Sequence, residues 1–263
     1  MASNYDKVVS FYSVSEEDDR WAQSRYAGLE FHYTKKLISG YINSESHVIE
    51  LGCATGYYGM YFADKCAHYT GIDLTPEHID VFNQKIADAG IKNISTAVGD
   101  ATGLPETPDN SFDVVLCLGP MYHLQQNDRL KVFEECYRIA KDGAVLAFAY
   151  INGLGVYAGA CVHDNCRGVY PSVKANKYVF EFGTDDVNPD RFYFTSPEEM
   201  EFDAKRKNLE VLKNCGLDFF FTLCAVNQMS DEQFECYMEI ADRMCESPSC
   251  TGLSNHALLI CRK

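Results

Sequence analysis

The stretch Val48-Ile49-Glu50-Leu51-Gly52-Cys53-Ala54-Thr55-Gly56-Tyr57-Tyr58-Gly59 constrains this chain more than any other. A short apolar run ends in two glycines four positions apart, and a helix-like segment follows at once. Gly52 and Gly56 lack the Cβ that would keep the backbone from turning sharply and from approaching a ligand closely. A strand, a glycine turn and a helix N-terminus form a cradle for the polar end of a nucleotide-like molecule.

The spacing downstream makes the signal specific. Asp73 stands 21 residues after Gly52 and closes a second apolar run, Ala67 to Leu74. An acid at that distance and at a strand end suits the hydroxyls of a ribose. Ala97-Val98-Gly99-Asp100-Ala101 reads as a third strand ending in an acid. Phe112 to Leu118 reads as a fourth, apolar enough to be buried on both faces. Acids gathered at the carboxyl ends of such strands mark the crevice where open α/β sheets bind ligands.

The glycine pattern then selects among ligands. A dinucleotide fingerprint needs glycine at 52, 54 and 57, whereas this chain has Ala54 and Tyr57. What remains resembles the class I S-adenosylmethionine-dependent methyltransferases. Their first motif, acid-x-Gly-x-(Gly/Ala)-x-Gly, is matched by Glu50, Gly52, Ala54 and Gly56. Their ribose acid corresponds to Asp73 and their adenine-side Gly-Asp-Ala to Gly99, Asp100 and Ala101. The resemblance is dense from His47 to Ile151 and topological beyond.

The resemblance implies an α/β, Rossmann-like sheet of seven strands. The sheet is mostly parallel with helices on both faces, and its last strand is antiparallel. It implies S-adenosylmethionine as cofactor, held by Gly52, Cys53, Ala54, Gly56, Asp73, Leu74, Asp100, Ala101 and Leu118. The carbonyl of Leu118 would accept from the cofactor ammonium. Two other classes stay open: a nicotinamide-dependent oxidoreductase, and a non-catalytic S-adenosylmethionine-binding protein.

The phrase Leu118-Gly119-Pro120-Met121-Tyr122-His123-Leu124 follows the fourth strand. It looks like the Leu-Gly-Pro-x-Tyr-His-Leu of a bacterial branch of small-molecule methyltransferases. It departs from the Asn/Asp-Pro-Pro-Tyr/Phe of enzymes that methylate nucleobases or glutamine amides. His123 is the candidate general base, since its ordinary pKa lies near neutrality. The competing reading is a histidine that caps a helix or bonds the backbone, because methyl transfer can run on proximity alone. Tyr122 either orients substrate or packs.

Residues 1–45 read as a helical cover. Ser13-Val14-Ser15-Glu16 is a capping-box pattern, and Trp21, Tyr26, Leu29, Tyr33, Leu37 and Tyr41 give an imperfect apolar face. In the resembling family such helices also close over the cofactor. Tyr5, Tyr12, Arg25 and Tyr33 are therefore candidates for its methionine end or for substrate, with Arg25 pairing the carboxylate. The core spans 46–151, and 196–263 complete the sheet of a single domain. There we expect a helix from Pro197 to about Asn214, a strand from Leu217 to Val226, a helix capped by Ser230 and a strand from Ala257 to Cys261. Residues 152–195, rich in glycine and aromatics, are expected to form an inserted substrate lid. A hairpin around Tyr178–Phe182 and Arg191–Phe194 is anticipated there, with Tyr157 and Arg191 facing substrate.

Composition narrows the partners. A net charge of −15 opposes the phosphate neutralisation that nucleic-acid binding requires, and favours a small neutral or cationic substrate. Lys205-Arg206-Lys207 reads as a solvated helix face. No apolar run reaches the roughly 18 residues of a membrane span, and the start lacks a signal-peptide pattern, so a cytoplasmic protein is expected. The 12 cysteines read as reduced thiols. Cys161, His163 and Cys166 cluster, but without the paired spacing of a zinc site, and no metal is expected. The acceptor's nucleophilic atom and the oligomeric state are not legible.

Overall fold

A computed structural model describes residues 4–12, 18–163, 170–189, 191–219 and 223–263. The capping-box pattern at Ser13–Glu16 and Cys166 of the thiol cluster lie outside them, as do the side chains of Tyr5 and His163. Among the described residues seven strands form one sheet: β1 (His47–Leu51), β2 (His68–Asp73), β3 (Ile94–Val98), β4 (Phe112–Cys117), β5 (Ala140–Ile151), β6 (Glu210–Gly216) and β7 (His256–Arg262). Their order is β3-β2-β1-β4-β5-β7-β6. β1 lies parallel to both β2 and β4, while β7 runs antiparallel between β5 and β6. Strand order reverses between β1 and β4, which opens a crevice at their carboxyl ends.

The α-helices of six residues or more are α1 (Asn4–Tyr12), α2 (Arg25–Ser39), α3 (Tyr57–Phe62), α4 (Pro76–Ala89), α5 (Gln126–Ile139), α6 (Gly153–His163), α7 (Val173–Phe182), α8 (Pro197–Arg206), α9 (Leu223–Gln228) and α10 (Asp231–Cys245). Alternation along β4 divides the core. Val114 and Leu116 pack with Leu29, Tyr33, Leu37 and Ile38 of α2, and Val115 and Cys117 with Val132, Phe133 and Cys136 of α5. Both faces of the strand are thus covered, as its unbroken apolar run requires.

Three expectations are corrected. The sixth strand is Glu210–Gly216, not Leu217–Val226. As an edge strand it carries Lys213 and Asn214 and is half-exposed, which dilutes the apolar signal. The Leu217–Phe219 run instead plugs the core, and a helix starts at Leu223. α8 stops at Arg206, well short of Asn214, because Asn208 takes a left-handed conformation (φ 61°) that ends the helix. Its last-turn cations are paired, Lys205 with Glu201 and Arg206 with Asp203, and Lys207 just beyond the helix pairs with Glu134.

Among its described residues the insertion holds two helices and no hairpin. Tyr178–Phe182 is the end of α7, which Ser172 caps by accepting from Ala175 N. Of the aromatics that suggested a strand there, Phe180 meets Tyr157 of α6 edge-on, and Tyr157 also bonds Asn176 of α7. The segment after α7 is stitched to the sheet end, with Tyr193 N donating to Tyr122 O at 2.7 Å and Thr195 N to Ile151 O at 3.0 Å. The capping box at Ser230 is present.

Candidate active site

Backbone geometry builds one end of the site. After β1 the chain turns through Gly52 (φ 79°), Ala54 (φ 44°) and Gly56 (φ 88°), all left-handed. A Cβ on Gly52 would stand 2.6 Å from Pro120 Cδ, and one on Gly56 would stand 2.0 Å from the Phe82 ring. Both positions therefore need glycine. Asp73 locks the turn: one oxygen accepts from Ala54 N at 2.8 Å and the other from Thr75 N at 2.9 Å. Thr75 occupies the N-cap of α4 in an extended conformation, but its side chain does not cap. Glu50 lies fully buried beneath the turn and accepts from Tyr69 Oη at 2.6 Å. Burial pushes its carboxyl up to about 8, with the nearby Asp73 charge adding to the rise.

Above the turn is a cavity of about 710 Å3, within the range of small-molecule sites. Gly52, Ala54, Asp73, Leu74, Asp100 and Ala101 line it from β1, β2 and β3, and Leu118, Tyr122 and His123 from the segment after β4. Tyr12 covers it from α1. It continues to Ile151 and His256 at the far strands, with Phe11, Val156, Phe192 and Phe194 as apolar walls.

Several sequence candidates lie elsewhere. Arg25 turns away to Asp231 and the carbonyls of Met229 and Ser230, and stacks on Phe234. Tyr33 is buried and donates to Asp242 at 3.0 Å. Cys53 packs with Ile79 and Phe82 under the turn, and Gly56 caps α3, so both shape the loop from behind. Tyr157 clamps α6 to α7. The Arg191 guanidinium stacks on Phe11, while its carbonyl reaches the site.

That carbonyl determines the state of His123. Nδ1 lies 2.8 Å from Arg191 O, which can only accept, so Nδ1 carries the proton. Nε2 then accepts from Tyr12 Oη at 3.0 Å. Burial lowers the pKa of this imidazole, which leaves it neutral at pH 7. His123 thus bonds the backbone and also presents an acceptor nitrogen to the cavity.

Sequence reading missed a second polar group. Glu30 on α2 accepts from Tyr122 Oη at 3.1 Å and from Arg20 at 3.4 Å. His256 Nε2 stands 3.9 Å from Glu30, and Nδ1 is 2.7 Å from Asp218. Asp218 also accepts from His256 N, Asn255 N and Ser254 Oγ. These residues come from five separate parts of the chain, and no motif joins them.

Residues 48–143 match the family model described as a methyltransferase domain. Over 213 residues the chain is 24% identical to a ubiquinone biosynthesis O-methyltransferase of Paracidovorax citrulli, covering 78% of this chain and 82% of that one. Residues 48–143 thus carry a class I S-adenosylmethionine-dependent methyltransferase domain. The methyltransferase is also 30% identical, over 43% of its own length, to a demethylmenaquinone methyltransferase of Listeria monocytogenes, and it spans about half of that relative (47%). The structure of a geranyl diphosphate C-methyltransferase from Streptomyces coelicolor shares the methyltransferase's fold, with a TM-score of 0.62 at 12% identity over 99% and 98% of the two chains.

The cofactor is S-adenosylmethionine, and the site suits it. The Gly52 turn leaves a cradle that a side chain would fill, Asp73 faces the cavity beside it, and Ile72 and Ala101 supply apolar surface. Among the described residues no group of three or more His, Cys, Asp or Glu side chains is placed to hold a metal.

Proposed function

We propose that this methyltransferase acts on a small molecule, with the adenosine end of the cofactor at Asp73 and Asp100 and the acceptor in the apolar part of the same cavity. The observation that carries this reading is the continuity of the cavity from the glycine turn to the chamber walled by Phe11, Phe192 and Phe194. The names of the two relatives, both quinone-pathway methyltransferases, support a small acceptor. When bound, S-adenosylmethionine supplies an activated methyl on a sulfonium. The protein's part is to orient the acceptor and exclude water.

Asp73 would accept from ribose hydroxyls with the lone pairs its backbone bonds leave over. Arg20, which lines the cavity, takes the role first given to Arg25 and faces the cofactor carboxylate. His123 Nε2 would receive a proton from a hydroxyl acceptor that takes the place of Tyr12 Oη. Residues 152–195 serve as the acceptor's cover.

Calorimetric titration with S-adenosylmethionine, S-adenosylhomocysteine and NAD tests the reading. Micromolar binding of the first two supports it. Binding of NAD alone overturns it in favour of an oxidoreductase. S-adenosylmethionine binding without turnover across a panel of small acceptors would favour a non-catalytic binding protein.

A further inference from the structure

We infer that the far end of the cavity is an anion subsite: His256, held by Asp218, anchors an acidic oxygen (carboxylate or phenolate) of an acceptor whose apolar body lies against Phe192 and Phe194. This deepens the proposed function and rests on it for the acceptor's role.

The geometry is that of a donor aimed into a cavity. Asp218 fixes the Nδ1 proton from behind at 2.7 Å, so the ring is oriented with Nε2 forward. Asp218 is itself immobilised by His256 N at 2.7 Å, Asn255 N at 3.0 Å and Ser254 Oγ at 3.1 Å. Nε2 is 3.9 Å from Glu30 Oε2, close enough for attraction but beyond hydrogen-bond reach. The ring edge therefore has room for an acceptor atom from the cavity.

The sign of the ligand follows from what is exposed. The Asp218 and Glu30 side chains are 3% and 8% exposed, whereas that of His256 is 25% exposed and lines the cavity. The carboxylates are buried supports and the cation is the surface. Burial alone would depress the imidazole, but Glu30 and Asp218 outweigh it and hold the ring up to about 9, so it is charged at pH 7. The titratable and charged neighbours are Glu30 and Tyr26 of α2, Arg20 of the preceding turn, Tyr122 after β4 and Asp218 after β6. Arg20 sits against Glu30 and offsets the one carboxylate that would repel an anion. The local arrangement reverses the preference for neutral or cationic ligands that a net charge of −15 suggests.

The test uses the whole chain with 2-naphthoate and its neutral counterpart 2-naphthalenemethanol, titrated by calorimetry with and without S-adenosylhomocysteine. The expected result is naphthoate binding about tenfold tighter than the alcohol at pH 7. That preference should fade as pH rises through about 9, although naphthoate keeps its charge throughout. His256→Gln should erase the preference and leave S-adenosylhomocysteine affinity unchanged. Should that variant fail to fold, the pH profile of the unsubstituted protein decides alone. Equal binding of the two probes, no binding of either at millimolar concentration, or a preference constant from pH 7 to 10 would overturn the anion subsite. Failure of S-adenosylhomocysteine to bind would instead sink the proposed function, and the probes without it would still read the subsite.

Discussion

The two ends of the cavity are built in opposite ways. At the β1–β2 end, Asp73 bonds backbone amides 19 and 2 residues away, and the shape depends on glycines whose side chains cannot be enlarged. From the segment after β4 to β7, side chains meet across sequence separations of 38, 92 and 111 residues: His256 with Asp218, Tyr122 with Glu30, Tyr12 with His123. One end is a backbone cradle that any chain of this fold must spell in a short motif. The other is an assembly of unrelated segments, free to vary with the acceptor. Damage at the first end should cost stability and cofactor together, while damage at the second should spare the cofactor except at Arg20, which reaches both Glu30 and the cavity.

The largest effect is expected at Gly56. Alanine there would take a left-handed conformation, costing about 1–2 kcal/mol, and would press on the buried Phe82 ring, costing a further ~1–3 kcal/mol. Gly56→Ala should lower urea-derived stability by about 3 kcal/mol and weaken S-adenosylhomocysteine as well. A loss below about 1 kcal/mol would mean that the turn yields, and the contrast between a rigid and an assembled end would fail.

Asp73→Ala comes next. It removes a charged acceptor and strands the Ala54 and Thr75 amides. At about 1.5–3 kcal/mol for hydrogen bonds to a charged group, S-adenosylhomocysteine affinity should fall on the order of 100-fold. Calorimetry reads this directly. An affinity within threefold of wild type would move the ribose elsewhere.

This asymmetry also explains what could be read from the sequence. Gly52, Ala54, Asp73, Asp100 and Ala101 were legible because motif spacing and strand ends alone bring them together. Tyr12, Tyr122 and His123 were legible because their segments flank the crevice. Arg20 was not, since a turn before α2 carries no periodicity that says which of two nearby arginines faces inward. Asp218 and His256 were hidden more deeply. Asp218 falls inside a run that resembles a strand and carries no motif of its own, and only the antiparallel return of β7 brings His256 to the cavity. The first helix of the insertion was masked by glycines at 153, 155 and 159. Gly155 is small because the chain passes against Ser254 O, where a Cβ would stand at 2.0 Å, not because the chain turns there.

Each end holds a group whose pKa folding raises to between about 8 and 9, which gives the comparison a pH axis. Glu50, ordinarily at 4.5, sits at about 8. Its contribution is fully present below pH 4.5 and is lost as pH rises through 8. His256, ordinarily at 6.5, sits at about 9, and its contribution is present below 6.5 and lost through 9. Stability should therefore fall from pH 5 to 9. Glu50→Gln should remove the lower part of the slope and His256→Gln the upper part, each by roughly 3–5 kcal/mol. Urea midpoints at pH 5, 7 and 9 separate them. A flat profile in the unsubstituted protein would contradict both assignments.

The smallest effect is the sharpest test of where the two ends divide. By sequence, Arg25 is as good a partner for the cofactor carboxylate as Arg20, since both lie in the amino-terminal cover. In the fold Arg25 begins α2 and its guanidinium reaches Asp231 at the start of α10, where the aspartate side chain is 96% exposed. Ion pairs this open are worth about 0–1 kcal/mol, and the stacking on Phe234 adds about 0.5 kcal/mol. Arg25→Ala should therefore cost about 1 kcal/mol of stability and change S-adenosylhomocysteine affinity less than twofold. Arg20→Ala, by contrast, should weaken it about tenfold, because that guanidinium lines the cavity. The reverse pattern would place the cofactor carboxylate outside the cavity described here, and the amino-terminal cover would then belong to the backbone-built end instead of closing over it.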